Sequence, residues 1–162
     1  MNKIEKKENG FTIIEVVLVL AIAALIMLLV FLALPALQRG QRDTQRKNDV
    51  GRLQAAISQY KSRNNGRVPA ANQTEWKNFF TNEMQRAGDS FADPVGGPYV
   101  ANVRASGSVE RNEYSEPDSA GIFLYYGARC DGENPTGILD GKARRIAIVK
   151  PLEGGGRHCQ EA

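Results

Sequence analysis

Residues 10–37 read GFTIIEVVLVLAIAALIMLLVFLALPAL, from Gly10 to Leu37, and this stretch decides the fold. Val16 to Leu37 carries no charge. As a helix rising 1.5 Å per residue, those roughly 22 residues span about 33 Å, the hydrocarbon thickness of a bilayer. A buried helix in a soluble chain of 162 residues keeps a polar face, and this one has none. The reading is a membrane-inserted helix. A secretory signal peptide shares the basic-then-apolar order, but its apolar region is shorter and ends at a small-residue cleavage site. Here Pro35 and Leu37 lead into Gln38 and Arg39, so the run is expected to stay in the mature protein.

Working outward toward the N-terminus, residues 1–10 are polar and include Lys3, Lys6 and Lys7, and the character changes abruptly at Phe11. Glu15 is the odd residue. A carboxylate at the start of a bilayer-length apolar run costs several kcal/mol if charged and unpaired, so a partner is expected unless the headgroup layer solvates it.

A basic leader, Gly10-Phe11, Thr12, Glu15 and a long apolar helix together resemble the class III signal of type IV pilins and pseudopilins. The resemblance covers the leader and first helix closely and the remainder only in layout. It implies that a prepilin peptidase cuts after Gly10 and methylates the new amine of Phe11. Glu15 would then be the fifth mature residue, facing the cationic terminus of a neighbouring subunit. Pairing the two charges recovers part of the desolvation cost and penalises registers that leave Glu15 alone. On this reading Glu15 sets assembly register. The positive-inside rule points the other way, because Arg39, Arg42, Arg46, Lys47 and Arg52 outnumber the leader lysines. The cleavage signal and the cysteines favour an exported C-terminal part.

Toward the C-terminus, Pro35 is expected to kink or loosen the helix, and Gly40 and Gly51 to soften it. From Gln41 to Ser62, Val50, Leu53, Ile57 and Tyr60 recur at helical spacing, giving an amphipathic continuation that needs a domain packed on it. Asn64-Asn65-Gly66 and Pro69 terminate it. The basic residues on its other face offer a surface to nucleic acid or anionic lipid; a solvated face or a contact with neighbouring subunits is the ordinary role of such residues.

A second helix is predicted over Thr74 to Arg86, with Trp76, Phe79, Phe80 and Met84 as packing residues, followed by a turn-rich loop at residues 93–98. Strands are predicted at Tyr99–Ala105, Gly121–Ala128 and Arg144–Val149, the middle one central and the third at an edge before Pro151. The fold class is α+β: a long N-terminal helix packed on a small antiparallel sheet. The layout is a leader at 1–10, a hydrophobic helix at 11–37, an amphipathic helix at 38–63 and a globular head at 64–162.

Cys130 and Cys159 are an even pair beyond a single span, which suggests a disulfide in an oxidising exterior. The bond would close a loop of about 30 residues and contribute roughly 3–4 kcal/mol by chain entropy. Disulfide-bounded C-terminal loops are frequent in the pilins that the chain resembles.

Catalytic chemistry is poorly represented. The single histidine, His158, has no nucleophile motif to serve, and Cys130, His158 and Cys159 make a poor zinc set. No phosphate-binding or dinucleotide fingerprint occurs. The oxygen-bearing groups Asp131, Glu133, Asn134 and Asp140, and Glu110, Glu113, Glu116 and Asp118, lack the spacing of a calcium loop. The net charge of +3 favours no class of partner. The expectation is a structural filament subunit, not an enzyme, with no metal or cofactor. By resemblance, its partners are copies of itself, the prepilin peptidase, and an inner-membrane assembly platform with its ATPase. The precursor would sit in the inner membrane with its N-terminus cytoplasmic, and the assembled pilus outside. Alternatives are a type II secretion pseudopilin, a competence pilin that takes up DNA, or a single-span anchor presenting a small extracellular binding domain.

Overall fold

The computed structural model describes residues 10–85, 90–108 and 120–162. The leader lysines Lys3, Lys6 and Lys7, Arg86 at the end of the second predicted helix, and the acidic run Glu110, Glu113, Glu116 and Asp118 lie outside the described residues. The class is α+β, with a long N-terminal helix and a small sheet, and the chain divides into two compact units that meet at Gln38 and Arg39.

Helix α1 spans Ile13–Arg63, and its assignment continues through Pro35. The unit up to Gln38 holds its apolar part. That part is long and apolar enough to cross a membrane, and none of it is buried within the fold. Phe11 is 90% exposed and Phe31 73%. In water so continuous an apolar surface is strongly unfavourable, so this segment needs lipid or protein around it.

In the unit from Arg39 onward, α1 becomes amphipathic as its spacing predicts. Val50, Leu53 and Ile57 are completely buried, and Tyr60 packs partly buried beside them. The helix stops because Asn65 and Gly66 turn to positive φ (54° and 74°), and the Gly66 N–H donates to the Lys61 carbonyl at 2.8 Å.

Helix α2 (Gln73–Phe79) starts at Asn72, whose side chain accepts the Glu75 N–H at 2.8 Å. It runs on into a π-helical turn, Phe80–Met84. Trp76, Phe79, Phe80 and Phe91 pack ring on ring at centroid distances of 5.1–6.0 Å. The buried Trp76 indole N–H donates to the Tyr126 hydroxyl, which donates to the Pro69 carbonyl, so neither aromatic leaves a polar atom stranded.

Short strands β1 (Ala92–Asp93) and β2 (Gly97–Pro98) pair with each other, as do β4 (Ser106–Ser108) and β8 (Ile138–Asp140). The main sheet is built from β3 (Val100–Arg104), β5 (Gly121–Tyr126), β9 (Ile146–Pro151) and β10 (Arg157–Glu161), in the order β10-β9-β5-β3. Both β5 and β9 are near-continuous apolar runs because both faces of each are covered. Ile122, Leu124, Tyr126, Ile146 and Ile148 join the core with α1, while Phe123, Tyr125, Ala147 and Val149 form a second cluster on the opposite face.

Two expectations about this sheet are corrected. It is mixed, not wholly antiparallel: β5 pairs antiparallel with β9, and β9 with β10, but β3 pairs parallel with β5. Parallel neighbours need a crossover of about a dozen residues or more, and the chain between Arg104 and Gly121 supplies that length. Nor is the third predicted strand, β9, at an edge. The C-terminal residues 157–161 fold back beside it as β10, an unpredicted strand, through a turn whose Gly155 and Gly156 have φ of 88° and 80°. Arg-His-Cys-Gln-Glu has no apolar alternation, so its place as the edge strand β10 comes from main-chain pairing to β9 and not from an apolar stripe.

Candidate functional site

The first turn of α1 is closed by its own side chains. The Thr12 N–H and hydroxyl both donate to Glu15 Oε2 at 2.8 Å, and the Glu15 N–H lies 3.4 Å from the Thr12 hydroxyl. This reciprocal arrangement is a capping box, and it satisfies donors that a helix start otherwise leaves free. The signal for it in the sequence is the spacing Thr12-x-x-Glu15, which makes Thr12 the near partner of Glu15. The structure thus brings Glu15 to Thr12 and places both directly after the Gly10–Phe11 junction. All four residues are exposed. Glu15 Oε2 is taken up by Thr12, and Oε1 makes no hydrogen bond among the described residues.

The basic residues after the apolar run are less available than their pattern suggests. Arg46 is buried, 1% exposed at its side chain. It donates to both oxygens of Asp93 (2.7 and 2.9 Å), to Asp43 (3.0 Å) and to Glu153 (2.7 Å). Arg42 grips the same Glu153 at 2.7 Å, and Arg52 pairs with Asp49 at 3.1 Å. Only Arg39 and Lys47 of the original set stay fully exposed. The reading of this face as a solvated cationic surface is therefore wrong for Arg46, while Arg42 and Arg52 are half-buried and paired with carboxylates. Helical spacing locates a face, but it cannot tell which loops will bring carboxylates to it.

Asp93 lies at the centre of the network, with its side chain fully buried. Burial pushes its carboxyl up, but Arg46, the Val95 and Gly96 amides and the Lys150 charge outweigh that and hold it well below the usual range. Lys150, also buried, sits 3.4 Å from Asp93 and donates to the Gly121 carbonyl. The turn between β9 and β10 is tied in by Asp43, which accepts the Glu153 and Gly154 amides at 2.9 and 2.8 Å. A hydroxyl from Tyr99 reaches Asp49 at 3.1 Å; burial and the Asp49 charge hold that phenol strongly protonated.

Cys130 and Cys159 are joined in a disulfide, Cα to Cα 5.8 Å. It links β6 (Arg129–Asp131) to β10. His158 is paired with Lys150 in the β9–β10 register. Among the described residues, no group of three or more His, Cys, Asp or Glu could hold a metal ion. Asp131 and Asn134 instead end paired strands, β6 and β7 (Asn134–Thr136).

Residues 6–31 match the family described as the prokaryotic N-terminal methylation motif. The match covers the junction, the capping box and most of the apolar stem. This motif is the type IV pilin and prepilin signature, and the chain carries it on a fold of matching class. No curated protein and no solved structure matches the chain.

Proposed function

We propose that the protein is a structural subunit of an extracellular type IV pilus-like filament. It is inserted in the inner membrane, cut between Gly10 and Phe11, and N-methylated at Phe11. An assembly platform driven by an ATPase then draws it from the bilayer into a helical polymer. One observation carries this reading: a methylation motif over residues 6–31 takes in the start of a helix whose apolar side chains, from Ile13 on, are exposed on every side. Such a surface exchanges lipid for neighbouring stems without exposure to water. The unused Oε1 of Glu15 is available for the amine of a neighbouring Phe11, so the capping box would hold the carboxylate until assembly supplies that charge. Type II secretion pseudopilins and competence pilins share this processing. The competence reading rested on the basic face of α1, and the ion pairs of Arg42, Arg46 and Arg52 remove most of that support.

The test is the intact mass of protein sheared from cell surfaces, with N-terminal peptide mapping. A chain that begins at N-methylated Phe11 is expected. A chain that retains residues 1–10 and is confined to the membrane would overturn the filament reading in favour of an anchored binding domain.

A further inference from the structure

Arg42, Arg46, Arg52 and Arg63 each reach a carboxylate. Arg67, Lys142 and Arg144 make no ion pair among the described residues. They line one open groove of about 270 Å³ whose remaining wall residues include no acid. All three are exposed. The acid nearest in sequence, Asp140, lies outside the lining, and its Oδ1 accepts the Lys142 N–H at 2.9 Å.

The walls of this groove are fixed by the fold. On one side, the Pro69 carbonyl is held by the buried Tyr126 hydroxyl. On the other, the turn after β8 (Ile138–Asp140) is closed by the Ala143 N–H donating to the Asp140 carbonyl at 2.9 Å. The walls meet at Gly141, where a Cβ would lie 3.2 Å from the Ala105 Cβ and 3.6 Å from the Ala71 Cβ. A side chain at this position would be packed more tightly than ordinary van der Waals contact. Arg144 Nη1 also reaches back to within 3.8 Å of where a Gly66 Cβ would be, across the turn that ends α1.

Three like charges on the walls of one groove raise each other's energy unless a counter-charge enters. Arginine's planar fork and lysine's compact ammonium both match phosphate oxygens, and charge-assisted hydrogen bonds to such oxygens are the strong ones. With cations on both walls, linked phosphates can meet more of them than a single phosphate can. We propose that this groove binds a phosphate-class anion, with Arg67 on one wall and Lys142 and Arg144 on the other, and that it prefers linked phosphates. This goes beyond the filament reading and does not depend on cleavage at Gly10.

The full chain, held in a neutral detergent, is titrated calorimetrically at low salt with inorganic phosphate and with tripolyphosphate. Tripolyphosphate is expected to bind more tightly than phosphate, and the variant R67Q/K142Q/R144Q to bind it at least about tenfold more weakly. The control R39Q/K47Q removes two exposed cations outside the groove and should stay within about twofold of wild type. If the triple variant unfolds at a lower temperature, R67Q alone replaces it, with a smaller loss expected. Equal affinity for the two probes would overturn the preference for linked phosphates. Absence of binding by either probe, or equal losses in the groove and control variants, would overturn the site itself.

Discussion

Glu15 and Arg46 are both charges placed where apolar surroundings make charge expensive, and the chain handles them differently. Glu15 is given a local partner, Thr12, which donates twice to one carboxylate oxygen. Glu15→Ala subunits should be cut at Gly10 like wild type but polymerise poorly, as read by the filament yield of sheared material. Normal yield would remove the register role. Arg46 is satisfied completely within its own unit by Asp93, Asp43 and Glu153. Arg46→Ala removes the bidentate partner of the buried Asp93, leaving it the Val95 and Gly96 amides and Lys150, so a loss of up to about 3–5 kcal/mol is expected in urea unfolding of the chain in detergent. The same network predicts acid sensitivity. For Glu153 the Arg42 hydrogen bond lowers the pKa; for Asp43 and Asp93, burial raises it but is outweighed by amide and arginine hydrogen bonds. All three folded-state values therefore lie below the unfolded ones. Their contribution is fully present above the unfolded carboxylate range, near pH ~4, and is lost as pH falls through the folded values. Unfolding midpoints should drop below about pH 4 in wild type and drop less in Arg46→Ala, measured by circular dichroism across pH.

At the scale of elements, β10 depends on what surrounds it. It has no apolar alternation, and it is held by pairing to β9, by the disulfide to β6, and by the Glu161 carboxylate accepting the Cys130 amide at 2.8 Å. The turn leading into it is anchored by Asp43, Arg42 and Arg46. Replacing both cysteines, Cys130→Ser with Cys159→Ser, should cost about 3–4 kcal/mol on the chain-entropy account. Denaturant unfolding of wild type with and without reductant should show the same loss, and the double variant should no longer respond to reductant. No response to reductant in wild type would mean that the bond does not stabilise this region. Helix α1 draws on different forces along its length. Its latter part is stabilised by packing of Val50, Leu53 and Ile57, whereas its apolar part has only its own hydrogen bonds and whatever medium surrounds it.

At the scale of the whole molecule, the exposed apolar segment is the feature that function must explain. A single charge at its middle is expected to impair insertion, since a lysine near the bilayer centre costs about 2.5–3.5 kcal/mol on insertion scales. Leu25→Lys precursor should fractionate less in membranes than wild type, as measured by carbonate extraction and immunoblotting. Much of this was legible beforehand because it is written locally: continuous apolarity for the stem, three- and four-residue spacing for the Val50–Tyr60 stripe, Asn-Asn-Gly for the helix end. The capping box is written locally too, as Thr12-x-x-Glu15. The groove of Arg67, Lys142 and Arg144 was not legible, because its walls come from segments more than seventy residues apart in the chain.

The sequence by itself determined the bilayer-length helix, its processing signature, the α+β class and the central place of Gly121–Tyr126. Each of these follows from patterns within a few helical turns or one strand. Only the tertiary structure decided that β3 runs parallel to β5, that residues 157–161 form an edge strand, and that Arg46 is a buried hub instead of a solvated cation. Those outcomes rest on main-chain pairing and ion pairs between distant segments. Neither leaves a periodic trace in the chain, because a hydrogen bond or a carboxylate can satisfy a partner from any distance along it.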